Sequence, residues 1–527
     1  MLKIRFPLPA LLLLGGVALA TSSTAWSAES PPPIQLFVDA ASEDEETARA
    51  AMATLSESWR DGYACLLVDL ARFMRVRQAS RMEGGLPGMP GGRGDRGSGG
   101  GGGAGTATIG GGRGAGGGGG GGSSLPTLGA LPRQHPSTKA RARILRFLEE
   151  QTGQDLGDDL RAWRRWHWNL PYEPHPGYAA FKAALYGRVD ASLGLFFKVG
   201  GEATVRLDEI DWSGRPPTRI PMLDHPKHVP ASEAGHVEDK HTVFGLEVGG
   251  KARAYPRHIL ALHELTRDRV GETEITLVYD PLCGAAIPYA SETRGALLNF
   301  RPAGLVYRSN RLMFDEETVS LWSTLDGRPV LGPLTAHHVQ LRPLPVVTTT
   351  WREWRARHPD TTVLSHDTGY PFDYSRESPF ERYRRSDRLM FEVPRPDERL
   401  ENKEPVLALT FPAARGAAPS ERDALAIRAS LLEKRENRLY HTSLSGLDLV
   451  VVTGDDDAHR VYAAGDTRFV GLDRDGRVRD ADGGLWTLTE AALVPEAREA
   501  TGKMRLPAWL SFWFAWHAQY PDTELVK

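Results

Sequence analysis

One short stretch of the chain gathers residue types that can do chemistry: Tyr279-Asp280-Pro281-Leu282-Cys283-Gly284. A cysteine thiolate is both a nucleophile and a soft metal ligand. Gly284 lets the backbone turn sharply and lets another group come close. Upstream, His263-Glu264 ends a segment read as helical, and a helix–strand connection could bring it beside that turn. Cys283 with His263 would suit a nucleophile and its base, with Glu264 or Asp280 assisting. Cys283, His263, Asp280 and Met313 together would suit a transition metal, copper or zinc. The same residues also have a plain structural reading. Cys283 could be a small buried hydrophobe, His263 a satisfied structural histidine and Met313 core filler.

The other histidines suggest less. His225 and His228 are three apart, and His236 and His241 follow, all in a proline-rich loop where helical ligand spacing is not expected. His337-His338 are expected on a strand, with their side chains on opposite faces. There is no G-x-S-x-G elbow. His263-Glu264 lacks the second histidine of a zincin, because position 267 is Arg267. Cys65 is the only possible disulfide partner of Cys283. Its apolar helical setting, Ala64-Cys65-Leu66-Leu67, predicts burial rather than pairing.

The elements that must position these residues are strands. Phe244–Val248 and Ala252–Tyr255 flank Gly249-Gly250, a two-residue hairpin signal. Pro256–Leu265 suits a short helix. Ile275–Tyr279, Ile287–Tyr289, Leu297–Phe300 and Leu312–Phe314 continue the strand pattern. The region also repeats itself. Trp351-x-x-Trp354 followed by His358-Pro359-Asp360-Thr361 recurs as Trp513-x-x-Trp516 followed by Tyr520-Pro521-Asp522-Thr523. Val243–Val248 pairs with Val406–Phe411, and Leu321-Trp322-Ser323 with Leu485-Trp486-Thr487, at almost the same offset. Three ordered anchors predict two diverged copies of one unit, 242–365 and 405–527. The second copy has Gly454-Asp455-Asp456-Asp457 where the first has its cysteine turn, so any cysteine site belongs to copy one.

These motifs carry a resemblance. Ile220-Pro221-Met222-Leu223-Asp224, Gly250-Lys251-Ala252-Arg253-Ala254-Tyr255-Pro256, His263-Glu264, Tyr279 to Gly284, Ser320–Ser323 and Phe512–Trp516 resemble a bacterial family known as domain of unknown function 3179, over about 205–527. The resemblance implies a fold unit and a motif rather than a reaction. The family's motif usually reads Tyr/Phe-Cys-Pro-Leu-Cys, and here the first cysteine position is Asp280. A local dithiol pair therefore cannot form, and a C-x-x-C metal clip would be reduced to Asp280 plus Cys283.

Ahead of that region the sequence predicts a small α-helical module in segments 34–83 and 135–200. Leu55, Trp59, Leu66, Leu67, Leu70 and Phe73 recur at helical spacing, and Ile144, Leu145 and Leu148 form a second stripe. Thr152–Gly157 with Trp163 and Trp166 resembles the last helical unit of bacterial HEAT-type repeat proteins, which implies a packing or partner-binding module. Residues 84–124 are mostly glycine and are expected to be disordered, because they cannot bury apolar surface. Lys3, Arg5 and the apolar stretch from Pro7 to Ala20 predict a signal peptide over 1–28 and an exported, periplasmic or extracellular protein. That stretch falls short of the roughly 20 residues that span a bilayer, and no later segment is apolar enough.

A length of 527 residues suggests about three domains. The net charge of −3 argues against a nucleic-acid partner. Two cysteines exclude a disulfide scaffold. The fold class expected is α+β: a duplicated β-rich region behind a small helical module. The leading functional expectation is a periplasmic binding or interaction protein with a protein or small-molecule partner. The rival is a metal-dependent or thiol enzyme built on Cys283 and His263.

Overall fold

The computed structural model describes residues 31–82, 138–375, 380–412, 422–497 and 501–527. The expected signal peptide and the glycine tract lie outside the described residues. Among the described residues seven helices form the N-terminal part: Ile34–Ala40, Glu45–Glu57, Ala64–Met82, Thr138–Thr152, Leu160–Trp168, Tyr178–Gly187 and Ala191–Leu195. Asp44 caps the second and Asp159 the fifth, each accepting backbone N–H groups that the helix leaves unpaired. The helices bury their apolar stripes against one another and against a sheet. Phe37, Leu55, Leu66, Ile144, Leu148, Trp163 and Phe181 share one core with Leu305, Leu312, Leu321 and Val330. Buried polar contacts reinforce that seam. The Lys182 ammonium donates to Ile210 O at 2.7 Å, and Arg164 meets Asp211 at 3.2 Å.

From residue 205 onward the chain is β-rich. One five-stranded sheet runs in the order Ile210–Trp212, Phe300–Tyr307, Asn310–Asp315, Leu321–Ser323, Pro329–Leu331. A second runs Arg342–Pro343, Ala285–Ala290, Thr273–Asp280, Leu265–Val270, Leu223–Asp224. A third is Val347–Thr350, Thr242–Val248, Lys251–Pro256, Thr362–Leu364, His228–Pro230. The C-terminal half holds a four-stranded sheet, Trp509–Phe512, Pro405–Pro412, Arg422–Arg428, Glu524–Val526, and an eight-stranded antiparallel one. In the latter, His441 Nε2 on one edge strand donates to Phe469 O on the other at 2.9 Å, so the sheet curls almost into a barrel.

The expected Gly249-Gly250 hairpin forms, with both glycines at positive φ, joining Thr242–Val248 to Lys251–Pro256. Three sequence expectations are corrected. The helix expected over Pro256–Leu265 is only Arg257–Leu260, because Leu265 begins a strand paired with Val278. The helical stripe expected from Leu55 to Phe73 is broken at Ser58–Tyr63 and belongs to two helices. His337 ends a 3₁₀ turn and His338 is left-handed, so the two are not on a strand.

The two C-terminal halves share particular details. Val347–Thr350 and Trp509–Phe512 are each the edge strand before a Trp-x-x-Trp helix, and each pairs antiparallel with a hairpin strand. The other hairpin strand pairs in parallel with a strand that follows the helix, Thr362–Leu364 in one case and Glu524–Val526 in the other. Trp354 Nε1 donates to Thr361 Oγ1 at 2.9 Å, and Trp516 Nε1 donates to Thr523 Oγ1 at 2.9 Å.

Candidate functional site

The cysteine turn joins the antiparallel strands Thr273–Asp280 and Ala285–Ala290. Gly284 adopts φ +69°, and a Cβ there would sit 3.1 Å from the Phe512 ring, so only glycine fits. Asp280 shapes the turn from inside. Its carboxylate accepts from Leu282 N at 2.9 Å and from Arg311 N at 3.0 Å. The Arg311 guanidinium lies 2.5 Å from Glu264 and 3.5 Å from Asp280. The structure thus brings Glu264, Asp280 and Cys283 together around one buried arginine.

Cys283 is fully buried, and its thiol donates to Ser309 O at 3.5 Å. Burial, with Asp280 adding to it, pushes the thiol well above its ordinary pKa, so the nucleophilic thiolate is disfavoured. Met313 is core, paired across its strands with Pro302 and Trp322. Cys65 and Cys283 are both buried and free of disulfide. Among the described residues, no group of three or more His, Cys, Asp and Glu side chains could hold a metal ion.

His263 has other partners. Its Nδ1 donates to Pro221 O, and its Nε2 accepts from the Tyr374 hydroxyl at 2.5 Å. The rings of Tyr370, Phe372 and Tyr374 surround it at 5.2, 5.6 and 5.8 Å. Burial lowers its pKa to about 4, so the ring is neutral near pH 7. Both ring nitrogens are engaged, and neither points a lone pair at Cys283.

The other face of that aromatic strap opens on a cavity of about 730 Å³. The loop Gly235–His241 forms one wall, fixed by Trp351 N donating to His241 O and by His236 Nε2 donating to Leu364 O, both at 2.9 Å. Arg257 and His258 enter from the short helix after Pro256. His366 follows strand Thr362–Leu364, and Phe372, Tyr374, Glu381 and Arg385 close the rim. The imidazoles pair off: His236 lies against His366 at 4.9 Å and His241 against His258 at 4.6 Å. Burial, with His241 and His236 nearby, lowers His258 to about 4.

What separates this cavity from the cysteine turn is unused bonding capacity. Among the described residues, Arg257 has no ion pair or hydrogen bond, and the His258 and His366 rings have no hydrogen-bond partner. The lining carboxylates are partnered: Glu238 by Lys240 at 2.9 Å, Glu381 by Arg385 at 3.4 Å, and Asp373 by the Ser375 hydroxyl at 2.6 Å. A concave site with a few convergent polar groups and an aromatic wall has the make-up of a ligand pocket.

Sequence reasoning reached only His236 and His241 of this set. Arg257 and His258 are neighbours on one short helix and His366 lies more than a hundred residues on, so the three form no spacing pattern. The one available signal was the alternation Tyr370-Pro371-Phe372-Asp373-Tyr374, unusually aromatic for a loop.

A family model described as protein of unknown function (DUF3179) matches residues 217–523, which leaves the N-terminal helices outside it. No curated protein and no protein of solved structure matches the chain. The cavity and the cysteine turn both lie within the matched region, which is more than half of the sequence, and the chain therefore belongs to that family.

Proposed function

We propose that this is an exported binding protein whose small-molecule ligand occupies the histidine-lined cavity. One observation carries the reading: Arg257, His258 and His366 bring unsatisfied hydrogen-bonding capacity to a single cavity of about 730 Å³. Arg257 and His258 are half-buried while His366 is exposed at the rim, and polar groups withdrawn from solvent are normally hydrogen-bonded. Groups left unsatisfied beside open space suit a ligand that completes them. Export rests on the Lys3/Arg5 and apolar signal pattern. Among the described residues, no helix is long and apolar enough to cross a membrane.

The scaffold in this proposal is two diverged copies of one unit. Support comes from a reciprocal contact. The Cys283 turn accepts Phe512 N through Cys283 O at 2.7 Å, just before the second Trp-x-x-Trp helix. The Gly454–Asp457 turn accepts Thr350 N through Asp456 at 3.1 Å, just before the first. Equivalent turns thus seat on equivalent strand–helix junctions of the opposite half. On this reading the cysteine turn is a docking device, and only the first half has a ligand cavity.

Gly235→Trp tests the cavity. Gly235 lines it and has open space where a side chain would begin, so a large side chain can start there and is expected to obstruct the cavity. Thermal-shift screening would use succinate, inorganic phosphate, succinamide, spermidine and glucose. At least one should raise the melting temperature of the wild type but not of Gly235→Trp, and mass spectrometry should recover it unchanged. Equal shifts in both proteins would sink the cavity reading, and conversion of the compound would favour an enzyme.

A further inference from the structure

The charge pattern within the cavity narrows the class of ligand, and this step rests on the reading that the cavity is a ligand site. The cavity's cations and carboxylates are unevenly satisfied. Glu238 is held by Lys240 at 2.9 Å, Asp373 by its own turn, and Glu381 by Arg384 at 3.8 Å and Arg385 at 3.4 Å. Arg257 is different. Among the described residues no carboxylate pairs with it, and the nearby Arg384 is a like charge that, after burial itself, disfavours its protonated form. Glu381 on the rim offsets part of this but makes no ion pair with Arg257 and is shared with Arg384 and Arg385; a half-buried guanidinium with no direct partner is costly, and an incoming anion lowers the cost. The planar fork of Arg257 offers parallel N–H donors to two oxygens of one group. His258, the next residue in the chain, is neutral near pH 7 and can donate one ring N–H without adding charge.

We propose that the cavity takes an anionic group, a carboxylate or a phosphate, with its oxygens on Arg257 and His258 and the rest of the ligand toward Phe372 and Tyr374. The occupant is a small organic acid or a phosphate, and a neutral isostere of the same shape is rejected.

Isothermal titration of the purified protein with succinate, succinamide and inorganic phosphate tests this. Binding of succinate but not phosphate identifies a carboxylate site, and the reverse a phosphate site. Succinamide should bind at least tenfold more weakly than succinate. Arg257→Gln should weaken the bound anion ten- to a hundredfold, Arg257→Lys should recover part of that loss, and His258→Asn should cost a few-fold. Arg257 has no hydrogen bond or ion pair to lose among the described residues, so folding of these variants should hold, and circular dichroism checks it. If anions bind the wild type, fail on Gly235→Trp and ignore Arg257→Gln, the cavity stands and the anion assignment falls. The assignment falls in the same way if only succinamide or spermidine binds and Gly235→Trp blocks it. Anions that bind Gly235→Trp as well as wild type, or no binding by any probe, overturn both.

Discussion

The cysteine turn and the histidine cavity lie in the same half of the chain and hold the same kinds of reactive residues, yet their polar groups are treated in opposite ways. At the turn the charged groups answer one another, although Arg311 Nε and Ser309 Oγ are buried without a hydrogen bond. Asp280 accepts two backbone N–H groups, Arg311 answers two carboxylates, and Cys283 O receives Phe512 N. At the cavity Arg257, His258 and His366 remain open beside space. Residue type alone does not distinguish structure from function. Satisfaction does, because a buried group with all its partners has nothing left to offer a ligand.

The largest effect should come from breaking the satisfied side. Arg311→Met takes from the buried Glu264 and Asp280 the guanidinium they share, a loss of about 3–5 kcal/mol. Urea unfolding at pH 7 should show a midpoint shift of that size, and a shift below about 1 kcal/mol would mean the cluster is not structural. Next is pH. His263 and His459 are buried, and burial lowers each to about 4. The unfolded chain takes up protons below about 6.5 while the folded one does not. Stability should therefore be full above that pH and fall as the pH drops from about 6.5 to 4, by on the order of 1.4 kcal/mol per unit for each histidine. Urea titrations at pH 7, 6 and 5 measure the slope, and His459→Gln should flatten it. Smallest is Cys283→Ala. It should cost about 1–2 kcal/mol for the small void and leave ligand binding unchanged. The Cys283 thiol of the wild type should react with a disulfide reagent only after unfolding. Rapid labelling of the folded protein would erase the contrast between the two regions.

Some of this was legible in the sequence because it is local. Gly249-Gly250 reads as a hairpin since only glycine takes positive φ so readily at both positions. The apolar stripe of Ile144, Leu145 and Leu148 reads as a helix face and is buried as one. The Pro256–Leu265 expectation overran because pairing of Leu265 with Val278 outweighs helical propensity, and strand partners are not visible along the chain. His263 was a sound candidate by type. Its role was decided by Tyr374 and Pro221, 111 and 42 residues away.

Family membership, the helical start, the β-rich remainder and a lone cysteine in a glycine turn all follow from the amino-acid order, because each rests on residues adjacent or regularly spaced in the chain. Folding settled the rest: Cys283 is fully buried, and four histidines and Arg257 share a cavity. Burial and hydrogen-bond satisfaction depend on what folding brings alongside, and those partners come from loops and strands whose meeting no local pattern encodes.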